Sequence, residues 1–94
     1  MYTLIDGRKM NALYPETFEI PSMRDVLKIK PGDFVKLGFI DPDEAQGMTE
    51  RMWVEVTGLC TGTLANDPVS LSLKHGDPVE YRDRNILTIM HQKD

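Results

Sequence analysis

At 94 residues, with 40% hydrophobic and 28% charged side chains, the chain has room for one domain and one small core. Fifteen acidic residues against eleven basic ones leave a net charge of −4, which argues against a duplex nucleic-acid partner, because affinity there is built from many Lys and Arg contacts to phosphate. No apolar run approaches the roughly 20 residues that a membrane helix needs, so no membrane partner is expected.

The N-terminus lacks the basic-then-apolar layout of a secretory signal, and the lone Cys60 permits no intramolecular disulfide. Both features predict a cytoplasmic protein. Prolines and glycines are spread along the chain, which predicts a single domain over residues 1–94 with no linker.

In chain order, "YTLI" reads as a strand entering a turn at Asp6-Gly7. Ser22, with Asp25 three residues on, then starts a short helix that puts Met23, Val26 and Leu27 on one face and stops at Pro31-Gly32. Next comes a hairpin of "FVKLGFI" (34–40) and "RMWVEVT" (51–57), both alternating with period two. A fold-back around residues 45–46 sets Val35 opposite Val56, Leu37 opposite Val54 and Phe39 opposite Met52. The other face then pairs Lys36 with Glu55 and Gly38 with Trp53.

The hairpin's loop, residues 41–50, carries Asp41, Asp43, Glu44 and Glu50 without a base. The remaining charges on either side of it nearly cancel, so the net charge is concentrated in this loop.

"GTLAND" and "VSLSL" read as two strands parted by an Asn66-Asp67-Pro68 turn. Another strand begins at Pro78, where a missing donor is tolerated, and "RNILTIM" is read as a strand in preference to a helical turn. An internal echo joins "KPGDFV" (30–35) to "KHGDPV" (74–79): each is a Gly-Asp turn leading into a strand. The fold expected is mainly β, of the β-rich α+β kind: a small, strongly bent antiparallel sheet or SH3-like barrel. It has five to six short strands and one short helix in the N-terminal half.

Chemistry-bearing residues are sparse. Cys60 could act as a nucleophile only beside His75 or His91, one in a turn and the other near the chain end, and a semi-buried structural thiol accounts for it. Two histidines sixteen residues apart match no metal-ligand spacing. The run from Asp41-x-Asp43 departs from a calcium loop at Ala45, has its glycine at the seventh position and lacks a Glu at the twelfth. No phosphate-cradling or nucleophile-elbow motif occurs. No enzyme activity, cofactor or metal is expected.

Trp53, Phe34 and Ile40 share the face opposite the core. Either Trp53 covers Gly38, or the N-terminal segment or the helix covers this face, or the apolar stripe anchors a partner or a second copy of the chain. With Asp41, Asp43 and Glu44 they form the candidate partner surface.

The segments "TFEIPS", "LKIKPGDFVKLGF", "ERMWVEVTG", "GTLANDPVSL" and "LKHGDPVEY" resemble a family of small bacterial domains of unknown function. Its pattern is a Trp-Val-Glu-Val strand, a Gly-x-Leu-x-Asn-Asp-Pro turn and a Gly-Asp-x-Val strand. The likeness covers about residues 16–87 and implies a strand-rich module like those among bacterial toxin-immunity and accessory proteins, without assigning a role to any residue. The expected function is non-catalytic protein binding of bacterial type, with an immunity-like inhibitor as one form. A small ligand-binding barrel or a hydrolase using Glu55, Asp67 or Asp77 is the alternative.

Overall fold

The computed structural model describes residues 2–41, 49–68 and 73–92. Among these residues the chain forms β1 (Thr3–Leu4), α1 (Gly7–Leu13), α2 (Met23–Leu27), β2 (Phe34–Ile40), β3 (Thr49–Gly58), β4 (Thr61–Leu64), β5 (Pro78–Glu80), a 3-10 turn (Asp83–Asn85) and β6 (Ile86–Met90). The fold is mainly β, as expected: antiparallel strands in the order β1-β2-β3-β4-β5, curled into a half-barrel. β6 joins β2 on the edge that β1 also uses, with β6 against residues 34–37 and β1 against residues 39–40. The expected strand over 69–73 falls mostly on residues 69–72, outside the described residues.

One face of the curled sheet is the core. Val35, Leu37 and Phe39 of β2, Met52, Val54 and Val56 of β3, Leu64, Val79, Tyr81 and Ile86 are all buried there. Full burial of a Val, Leu or Phe side chain stabilises the fold by about 1.5–3 kcal/mol, so the period-two pattern of β2 and β3 largely dictates which face turns inward.

The register of the β2–β3 pair differs from the expected one by two residues. Val35 stands opposite Val54, Leu37 opposite Met52, Lys36 opposite Trp53 and Gly38 opposite Arg51. A slip of two keeps every side chain on its own face, so the apolar pattern cannot tell the two registers apart. The corner before β2 decides it. Gly32 N–H donates to Val56 O at 2.8 Å, and Val56 N–H donates to Asp33 O at 2.8 Å, which locks Val56 beside Asp33 and not Val35.

That corner occurs twice. In Lys30-Pro31-Gly32-Asp33 and in Lys74-His75-Gly76-Asp77 the Asp N–H donates to the Lys carbonyl at 3.0 Å. The Lys N–H donates back to the Asp carboxylate at 3.1 and 2.9 Å. The glycines have φ of +96° and +92°, the left-handed backbone that a type II turn requires at its third position. The second corner meets β4 as the first meets β3: Gly76 N–H donates to Leu64 O, and Leu64 N–H donates to Asp77 O. The sequence echo is therefore a structural repeat.

Among the described residues two α-helices form where one was expected. Asp6 does not turn the chain with Gly7; its carboxylate accepts from Lys9 N–H at 3.1 Å and caps α1. Asp serves turns and helix caps equally well, and the polar run of α1 carries little periodicity to separate them. α2 begins as read, with Ser22 Oγ accepting from Asp25 N–H at 3.2 Å. Only Val26 of its expected face packs on the core, while Met23 and Leu27 stay exposed. A five-residue helix at the mouth of the half-barrel is too short to bury all three.

Candidate functional site

The structure divides the expected partner surface. Gly38 lies beneath Ile5, not Trp53: a Cβ on Gly38 would stand 2.7 Å from Ile5 Cδ1, and Ile5 N–H donates to Gly38 O at 2.9 Å. Nearby, the Arg51 guanidinium lies 5.3 Å from the centre of the Phe18 ring. The N-terminal segment thus covers the middle of the outer face and separates Ile40 from Phe34 and Trp53.

Phe34 and Trp53 are diagonal neighbours on the uncovered part, both half-buried. Lys36 lays its ammonium 4.7 Å from the centre of the Trp53 ring, a cation–π contact worth about 0.5–1 kcal/mol when exposed. The expected Lys36–Glu55 and Gly38–Trp53 pairs give way to this one because of the two-residue shift. Asn66 adds a further tie, its side-chain carbonyl accepting from Trp53 N–H, so the Asn-Asp-Pro turn extends the β3–β4 ladder past Leu64. Ile40 pairs with Thr3 and Thr49 at the other end of β2, with half-buried Asp41 next to it. Asp43 and Glu44 lie outside the described residues.

A second surface was not legible in the sequence. α2 and the turn joining β3 to β4 flank a groove of about 300 Å³ lined by Val26, Leu27, Leu59, Cys60, Asp83 and Ile86, among others. Leu59, at the tip of the turn, is 95% exposed, and Leu27 on α2 is 79% exposed. Large apolar side chains exposed around a hollow mark contact surfaces more often than isolated ones do. The available signal was Leu27, an apolar residue on a helix too short to bury it.

The groove's polar groups are few and coupled. Cys60 holds a left-handed backbone (φ 56°), which costs a non-glycine residue about 1–2 kcal/mol and closes the β3–β4 turn. Its thiol points to the Asp83 carboxylate, 3.8 Å away. Burial first, and then the Asp83 charge, push the Cys60 pKa up, so the sulfur stays protonated at neutral pH and is a weak nucleophile. Tyr81, buried below, is pushed up to about 12, mainly by burial. Asp83 is the single charged side chain lining the groove among the described residues. On the other side of Leu59–Cys60 a shallower, more polar hollow holds Arg82, Arg84 and Glu80.

The remaining histidines stand apart from this groove's lining. His75 is in the second corner, and His91 Nδ1 meets Asp33 at 3.1 Å. Asp33 is fully buried, and its carboxylate also accepts from Gln92 N–H at 2.8 Å, Lys30 N–H at 3.1 Å and Lys30 Nζ at 3.2 Å. Burial alone would raise its pKa, but these four donors outweigh it and hold the carboxyl well below the usual range. The cluster ties the end of β6 to the first corner.

Among the described residues no group of three His, Cys, Asp or Glu is placed to hold a metal, and no helix is long and apolar enough to cross a membrane. Compared with protein-family models, with curated proteins and with solved structures, the chain finds no significant match.

Proposed function

We propose that this chain is a non-catalytic protein-interaction module that docks a partner in the groove between α2 and the β3–β4 turn. The observation that carries the reading is the pair of leucines, Leu27 and Leu59, left largely in solvent on two sides of one apolar hollow. Interface energy concentrates where a few apolar anchors enter a hollow that excludes water. A volume of about 300 Å³ is at the lower end of ligand pockets, a size that suits one or two side chains of a partner better than a cofactor.

The acidic segment 41–50 supplies a second candidate surface, for which an immunity-like inhibitor entering a basic cleft is the natural form. It follows Ile40 at the end of β2.

The test compares capture from native lysate by the wild type with capture by Leu59→Asp, Leu27→Asp and Trp53→Ala. Both leucine variants are expected to keep the wild-type Tm, because their side chains are already in water, and to lose one protein that the wild type and Trp53→Ala retain. Loss with Trp53→Ala alone would move the interface to the outer face. An unchanged set with all three variants would remove the proposal.

A further inference from the structure

Resting on that reading, we infer that the groove selects an apolar partner side chain with a cation beside it, from a Leu-Lys or Phe-Arg type of segment on another protein. The walls are hydrocarbon from Val26, Leu27, Leu59 and Ile86, and they recognise bulk and not polarity. The one formal charge on the lining is Asp83.

The Asp83 carboxylate is set beside the hollow by its place at the start of the 3-10 turn, where its own backbone carbonyl accepts from Ile86 N–H. Its side chain meets the Cys60 thiol at 3.8 Å, a weak donor that leaves most of the carboxylate's acceptor capacity for an incoming ammonium or guanidinium. Cys60 cannot compete as an anion, since its pKa is raised. Arg82 and Arg84 line the adjoining hollow beyond Leu59–Cys60, and Arg84 is directed to Asp6 at 3.9 Å. Asp83 thus lines the apolar hollow and the arginines the adjoining one, while the Arg82 charge still reaches Cys60, which borders both.

Two small probes of matched shape separate the apolar from the ionic part. Phenethylammonium and 3-phenylpropionate carry the same ring and opposite charges, and their binding is followed by amide NMR shifts in the full chain. The expected result is saturable shifts at residues 58–60 and 83–86 with phenethylammonium. Binding of phenylpropionate should be weaker by about threefold, the scale of one part-exposed charge contact. In Asp83→Asn, which keeps the shape of the side chain, that preference should vanish while the groove still shifts.

Equal binding of both probes to the wild type would overturn the charge selection and leave the apolar docking site standing. A preference for phenylpropionate would overturn it in favour of Arg82. No shift with either probe, together with unchanged lysate capture by Leu59→Asp, would overturn both the selection and the docking site.

Discussion

The two Lys-x-Gly-Asp corners share a backbone and differ in what their carboxylates do. Each Asp closes its own turn, and each corner hands its glycine N–H to the neighbouring strand. Asp77 is half-buried just before the three-residue strand β5, which is terminal in the sheet among the described residues. Asp33 is fully buried because the chain's end folds back over it and offers two more donors, Gln92 N–H and His91 Nδ1. One local motif thus gives a surface turn in one place and a buried ionic latch in the other. Local residues set the turn, and a segment 58 and 59 residues away sets the burial.

The largest break in this comparison comes from removing each carboxylate. Asp33→Ala strands several donors in a dry site, and the expected loss is roughly 3 kcal/mol, the scale for breaking a buried charged network. Asp77→Ala removes one turn contact near solvent and should cost about 1 kcal/mol. Urea denaturation of the two variants measures both. Equal losses would show that Asp33 is a turn former only and that the latch adds nothing. Amide exchange adds a local test: Asp33→Ala should lose protection at 86–92 first, because the latch ties the end of β6 to the corner.

Acid sharpens the same contrast. The folded Asp33 pKa is depressed below that of the unfolded chain, so the folded state binds fewer protons across that window. Its contribution is fully present above the unfolded value of about 4 and is lost as pH falls towards the folded one. Stability should drop from about pH 5 downward, and Asp33→Asn should flatten that slope. A slope as steep in Asp33→Asn as in the wild type would place the acid sensitivity elsewhere. Thermal melts between pH 3 and 7 read it directly.

The contrast also marks how far the sequence could be read. The echo of the corners, the cap at Ser22, the strand at Pro78 and the inward faces of β2 and β3 rest on residues adjacent in sequence or on period two, and all were legible. The hairpin register was not, because period two is blind to a shift of two and the deciding bonds run from Gly32 and Asp33 to Val56. Trp53 over Gly38 failed for the same reason, and Ile5, far back in the chain, took the place above the glycine. The groove was hidden more deeply. Leu27 reads as a core residue by its spacing, and only the arrest of α2 after five residues leaves it in water beside Leu59.

The smallest expected effect is the control for the others. Gly32 and Gly76 have nearly the same positive φ, and a Cβ built on either meets nothing within 4 Å. An alanine at either site therefore suffers only the conformational penalty of the left-handed region, about 1 kcal/mol, and suffers it equally. If Gly32→Ala and Gly76→Ala lose the same stability while Asp33→Ala and Asp77→Ala do not, the backbone of the corners is one device and the carboxylates are two. If Gly32→Ala costs far more than Gly76→Ala, the buried latch resists any adjustment of the turn beneath it. The repeat would then be alike in shape but not in rigidity, with the rigidity traced to the docked chain end and not to the turn residues.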